Sequence, residues 1–242
     1  MLIDRYAEAM LGKLNEVLDT QRKNIEDAAE IIVNAVEKGK NVHVYDSGHI
    51  VNSELINRAG GLALLKALKY TFTVEDPVRE IDREGNEPSI LGIGKIVMSH
   101  SKAAPGDVLV MGSVSGKAPN LVDIALAAKE MGLTLIVITS MQYSGAVEAE
   151  HPCGKKIYEL ADLVIDNCAP KGDAMLEVEG ATNKFGPASG LSAAFAMWCV
   201  SAEVIDRMIA RGMEPTLFRS INFPGGWDDY YKMCDKYNET GK

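Results

Sequence analysis

The chain has 242 residues, 47% of them apolar and 24% charged, and a formal net charge of −9. That length supports a large α/β domain with a substantial core. The acidic balance argues against general nucleic-acid binding, because phosphate backbones attract basic surfaces, and no apolar run reaches the roughly 18–20 residues needed to span a bilayer.

The N-terminal stretch MLIDRYAEAMLGKLNEVL carries acidic residues and helical periodicity. It lacks the basic start and continuous apolar run of a secretory signal, so a cytoplasmic location is expected. Residues 4–39 read as two helices or one broken helix. Leu11, Leu14, Val17 and Leu18 share one face, and after Asn24 so do Ile25, Ala28, Ile31, Ile32 and Val36, until Gly39 ends the run. NVHVYDSGH holds a short strand cut off by DSG. NSELINRAGGLALLKAL reads as a helix broken or ended at Gly60–Gly61, and YTFTVED as a second β-prone segment. Residues 77–106 give little signal beyond a short helix within ILGIGKIVMSHSKAAPGD.

The clearest unit follows. DVLVMG is a buried strand and PNLVDIALAAKEMG an amphipathic helix with Gly132 as its C-cap, and LTLIVITS is another strand. A crossover of this kind makes the two strands parallel. KKIYELA reads as a short helix and DLVIDN as a strand. SGLSAAFAMWCVSAEVIDRMIAR reads as a long apolar helix ended by Gly212, with a mixed tail from 213. Alternating strands and helices imply an α/β fold around a parallel sheet. A single domain is expected over 1–242, with a helical segment at 1–39, the α/β core at 40–212 and the tail at 213–242. Cys153, Cys168, Cys199 and Cys234 form no CxxC, so they read as thiols, and no metal site is expected.

Ligands of open parallel sheets sit beyond the carboxyl ends of the strands. That rule selects DSGH, GSVSGKAPN, TSMQYSG and NCAPKGDAMLEVEG. In GSVSGKAPN, Ser113 and Ser115 offer hydroxyls, Gly116 allows close backbone approach, and Pro119 suits the first position of the next helix. Two readings stand: a small-anion cradle at a helix N-terminus, or an ordinary turn whose serines cap the helix. His49 is either a ligand-facing base or a histidine satisfying local backbone. Glu54, a helical turn further on, is either a functional carboxylate or a solvated first-turn residue. His151 lies among charges in EAEHPCGKK, outside any apolar pattern. Asp173, Glu177 and Glu179 form an acidic run, more often solvated than catalytic.

The stretches VHVYDSGH with NRAGGLA, DVLVMGSVSGKAPNLVDIALAAKEMGLTLIVITS, HPCGKKIYELADLVIDNCAPKGDAMLEVEG and FGPASGLSAAF cover most of residues 40–200. On them the chain resembles the SIS (sugar isomerase) domain family, in its compact single-domain phosphosugar-binding branch. The resemblance implies a three-layer α-β-α sandwich, flavodoxin- or Rossmann-like, with a five-stranded parallel sheet and N-terminal helices, in a homodimer or homotetramer. It implies a sugar phosphate or similar anionic sugar as ligand, with no nucleic acid, membrane, metal or organic cofactor. The anion would be held by Ser113, Ser115, Gly116 and Lys117, with Ser47, Gly48 and His49 contributing and Asn120 alongside. Two positions depart from the family pattern: Ile50 and Ala118 stand where hydroxyl residues are common. Lys117 is the residue that would compensate as a point charge.

The leading function on this resemblance is an aldose–ketose isomerase working through an enediol. Glu54 would be the base, with His49 or His151 opening the ring. The alternatives are a non-catalytic phosphosugar-binding or regulatory protein, and an amino-sugar-phosphate lyase or etherase.

Overall fold

The computed structural model describes residues 1–47, 52–75, 77, 79 and 90–242. In chain order the helices and strands are α1 (Leu2–Glu37), β1 (Val42–Asp46), α2 (Asn52–Leu55), β2 (Leu65–Ala67), α3 (Ile93–His100), β3 (Val108–Gly112), α4 (Pro119–Met131), β4 (Thr134–Thr139), α5 (Met141–Gly145), β5 (Leu163–Asp166), β6 (Ala174–Leu176), β7 (Phe185–Pro187), α6 (Ser189–Ala210) and α7 (Gly226–Thr240), with a 3-10 turn at Ile157–Glu159. Five strands form one parallel sheet in the order β2-β1-β3-β4-β5, and β6 and β7 form a separate antiparallel pair.

Apart from Thr134, every residue of β1, β3 and β4 is buried. The strand period of two divides them between two layers. Val42, Val44, Val108, Val110, Ile136 and Ile138 pack with α1 and α6. Tyr45, Leu109, Met111, Leu135 and Val137 pack with α3 and α4. Each such aliphatic side chain contributes about 1.5–3 kcal/mol by leaving water, so the three-layer sandwich is the arrangement that buries both faces.

Three expectations need correction. The N-terminal segment is one unbroken helix, α1, rather than two. Gly12 faces open space and Asn24 bonds to Gln21 within the helix, so neither residue interrupts the backbone. The first half of α1 is braced by the β6–β7 pair, with Arg5 donating to the Glu177 carbonyl and Tyr6 packed on Phe185 and Gly186. The second strand is not YTFTVED but Leu65–Ala67, within the segment read as helical. Here α2 stops at Leu55, Asn57 takes a left-handed conformation, and residues 62–65 are buried without a break. A continuous apolar run has no period to distinguish helix from strand, and the open edge of β1 captures it, Leu68 donating to the Val44 carbonyl. Finally, the tail contains α7. Its start is fixed by Gly226, where a Cβ would lie 2.5 Å from the Ile221 carbonyl oxygen, and by stacking of Phe218 on Tyr230.

Other expectations hold: α3 lies in the weakly patterned region, Pro119 opens α4, Gly132 closes it at φ +84°, and all four cysteines are free. Cys168 is buried, and that burial pushes its thiol up to about 11. No helix among the described residues is long and apolar enough to cross a membrane.

Two glycines test the packing from opposite sides. A Cβ on Gly94 would sit 2.1 Å from the Asp123 carbonyl oxygen, where α3 meets α4. Gly94→Ala is expected to cost about 3 kcal/mol through overpacking, whereas Gly12→Ala should add about 0.5–1 kcal/mol through helix propensity. Urea denaturation of the two variants checks both signs.

Candidate functional site

The strand order reverses between β1 and β3: from β1 the chain moves outward to β2, then returns to the other side for β3. Such a switch point opens a crevice beyond the carboxyl ends of the two strands. Asp46 ends β1 opposite Gly112 at the end of β3, and the Ser47 amide donates to the Gly112 carbonyl at 3.4 Å. The DSGH and GSVSGKAPN loops therefore leave the sheet side by side. Gly48, His49 and Ile50 lie outside the described residues.

The serine loop is held by three consecutive carbonyls. The Val114 carbonyl accepts from the Thr139 hydroxyl at 3.0 Å and the Ser140 amide at 3.1 Å. The Ser115 carbonyl accepts from the Ser144 hydroxyl at 2.7 Å, and the Gly116 carbonyl from the Ile157 amide at 3.0 Å. Ser113 is buried, and its Oγ accepts from the Gly116 amide at 3.2 Å. Gly116 has φ +62°, and a Cβ there would lie 2.7 Å from Ile157 Cγ1. Its glycine identity is thus demanded by backbone conformation and by packing against the 3-10 turn. With its carbonyls committed to the scaffold, the loop keeps donors that bond to no described residue, among them the Ser115 hydroxyl and the amides of Lys117 and Ala118. They sit at the N-terminus of α4, where the partial positive charge favours an anion. Ala118 is the N-cap and gives no side-chain cap.

The remaining candidates are more committed than their sequence context suggests. Lys117 is paired with Glu150, whose carboxylate pushes the ammonium above its ordinary range. Asn120 Nδ2 donates to the Tyr70 hydroxyl at 3.4 Å, and Tyr70 stacks on Tyr45. Glu54 is about 40% exposed and paired with Arg58 at 2.8 Å. His151, expected to stand outside any packing, is nearly buried. Its Nδ1 accepts from the Cys153 amide at 3.1 Å, which leaves Nε2 to donate to Asp123 on α4 at 3.1 Å. Of the acidic run, Asp173 accepts from the amides of Ala188 and Ser189 and from the Ser189 hydroxyl, tying the β6–β7 pair to α6, and Glu177 pairs with Lys184.

The residues that brace the loop are the ones sequence reasoning left out. TSMQYSG qualified as a ligand-facing loop, yet Thr139, Ser140 and Ser144 are fully buried and spend their hydroxyls on protein carbonyls. Lys156 is buried too, its ammonium donating at 2.7 Å to the carbonyls of Ser144 and Val147. The available signal was three hydroxyl residues within six positions of the strand end, a pattern suited to backbone capping as much as to ligand binding.

Comparison with known proteins bears on this geometry. The SIS domain pattern matches residues 5–140. The chain is 32% identical to the UPF0309 protein of Shouchella clausii over 240 residues, covering 98% of this chain and 94% of that one. It is 34% identical to the UPF0309 protein of a Geobacillus strain over 242 residues, covering 98% and 96%. The chain belongs to the SIS domain family. The fold of this SIS domain is shared with the phosphoheptose isomerase of Neisseria gonorrhoeae, at TM-score 0.52 and 16% identity over 86% of this chain and 97% of that one. It is also shared with a Bacteroides fragilis protein assigned as a phosphosugar isomerase of capsule formation, at TM-score 0.50 and 15% identity over 96% and 97%.

Within this SIS domain the His151–Asp123 pair acts as a strut between the 146–156 loop and α4. Removing the histidine strands a nearly buried carboxylate, so His151→Ala should lower stability by about 3 kcal/mol. Chemical denaturation of the variant measures this directly, and an unchanged midpoint would leave the histidine free for another role.

Proposed function

We propose that this SIS domain protein binds a sugar phosphate, or a similar anionic sugar, at the serine loop and interconverts its aldose and ketose forms through an enediol. The observation that carries the reading is the set of uncommitted donors, the Ser115 hydroxyl with the Lys117 and Ala118 amides, at the α4 N-terminus beside the β1–β3 switch point. The likeness in fold to a phosphoheptose isomerase supports the substrate class.

In this reading the Ser115 hydroxyl and the two amides hold the phosphate, while Ser113 acts behind them by fixing Gly116. The Lys117 side chain is about 37% exposed, and a solvent-reached pair such as Lys117–Glu150 is weak, so an arriving anion can recruit the ammonium. Anchoring the phosphate places the sugar carbons for proton transfer. The Glu54 carboxylate removes the C2 proton of the open-chain aldose, the enediol forms, and the proton returns at C1 as the carbonyl moves to C2. Ring opening falls to His49, since both nitrogens of His151 are engaged. That engagement, with the missing hydroxyl at Ala118, favours one second reading: a binding protein that holds the same ligand without turnover.

Two variants separate these readings. Glu54→Gln should slow exchange of the substrate C2 proton with solvent deuterium, followed by NMR, by about 10²–10⁴-fold. A ligand that raises the melting temperature without any exchange in the unaltered protein would establish the binding-only reading instead. Ser115→Ala should weaken sugar-phosphate binding about tenfold by loss of one charge-assisted hydrogen bond. It should leave the melting temperature of the ligand-free protein unchanged, because that hydroxyl bonds to no described residue. Equal affinity in calorimetry would remove Ser115 from the site.

A further inference from the structure

A cavity lies elsewhere, at the open edge of the sheet. It encloses about 550 Å³ between β2, the C-terminal end of α3 and the last turns of α7. Three lysines (Lys66, Lys69, Lys102) and two histidines (His43, His100) line it, with no aspartate or glutamate among the described lining residues. This is an unusual wall for a chain whose net charge is −9.

Some lysines of the chain are paired with carboxylates and others are not, and the three of this cavity belong to the second group. Lys13, Lys23, Lys95, Lys117, Lys129, Lys184 and Lys236 each meet a carboxylate. Lys66, Lys69 and Lys102 meet none among the described residues. Lys66 is half-buried on the edge strand, its Nζ 4.1 Å from the centre of the Tyr237 ring and 5.9 Å from that of Phe218. Burial pushes its ammonium below the ordinary lysine range. The nearby carboxylate is that of Asp107, behind His43, and it is already spent. It accepts from the amides of Asn41 and Ala104 and from His43 Nε2, and it is almost wholly buried. Three ammonium groups around one cavity repel one another, and their natural complement is a multiply charged anion.

We propose that this cavity binds a small polyanion, an organic phosphate bearing at least two negative charges, at a site separate from the serine loop. Its size falls within the range of small-molecule pockets and exceeds what orthophosphate needs. Leu68 and the Tyr237 ring supply an apolar wall for the organic part. Asn41 precedes β1 and Ser47 follows it, so the two sites are separated by the length of that strand, about 17 Å. A ligand here would also join α7, through Tyr237 and Asn238, to the sheet edge.

Calorimetric titration of the full chain with pyrophosphate tests the proposal. Pyrophosphate is expected to bind, orthophosphate more weakly, and the double variant Lys66→Gln/Lys102→Gln should lose at least about tenfold in affinity. Lys69 and Lys102 are exposed, so Lys69→Gln/Lys102→Gln provides a second variant that leaves the packing around Tyr237 intact, and it should weaken binding in the same direction. Ser115→Ala should leave pyrophosphate affinity unchanged at this cavity. The proposal is overturned if pyrophosphate does not bind at millimolar concentration. It is equally overturned if both lysine variants bind as the unaltered protein does, or if Ser115→Ala removes the binding, which would place the anion in the serine loop.

Discussion

Burial of the central strands on both faces is the constraint from which the rest of this molecule follows. β1, β3 and β4 leave almost nothing to solvent, so their side chains are mostly apolar on both sides of the sheet, with His43, Asp46 and Thr139 as buried exceptions. Polar chemistry is thereby displaced to the strand ends and the sheet edge. At the amino end Asp107 gathers two amides and a histidine. At the carboxyl ends Ser113, Thr139 and Ser140 gather carbonyls and amides. Burial raises the Asp107 carboxyl, but the bonds from Asn41, His43 and Ala104 together outweigh it and hold the group below the usual range. Its stabilising contribution is therefore present above the unfolded carboxylate pKa of about 3.9 and is lost as pH falls through the depressed folded value.

The serine loop is held rigid by its own backbone acceptors. Backbone groups are rarely left unpaired inside a protein, and the carbonyls of Val114 and Ser115 find their donors on the β4–α5 side while that of Gly116 finds its donor at the 3-10 turn. Once those acceptors are tied down, donors are what the loop retains. The hydroxyls of Thr139 and Ser144 bond to the loop's own carbonyls, and the ammonium of Lys156 fastens the segment that carries Ser144.

Charge on this protein is organised by pairing. Arg207 and Arg211 on α6 clamp Glu30 on α1, and their hydrogen bonds, Arg211 first, hold that carboxylate below its ordinary range. Lys66, Lys69 and Lys102 at the sheet edge meet no carboxylate among the described residues. The two sites proposed for anions therefore differ in kind: one offers backbone amides at a helix N-terminus, the other clustered ammonium groups.

The sequence by itself determined the elements whose signal is local. DVLVMG, LTLIVITS and the α4 helix with Pro119 and Gly132 at its ends were legible because burial period, helix period and cap chemistry agree there. So was the serine loop as a candidate site, because its place between a parallel strand and a helix follows from the same pattern. Only the tertiary structure decided that residues 65–67 join the sheet, that α1 runs unbroken and that the tail ends in α7. In those segments the local pattern is ambiguous, and a hydrogen-bonding edge or an apolar partner far away in the chain selects one outcome. The same holds for His151, Lys117 and Ser144: their residue types suit catalysis or binding, but contacts with Asp123, Glu150 and the Ser115 carbonyl assign their work. A side chain's partner is a long-range fact, and one sequence read alone carries only its neighbours.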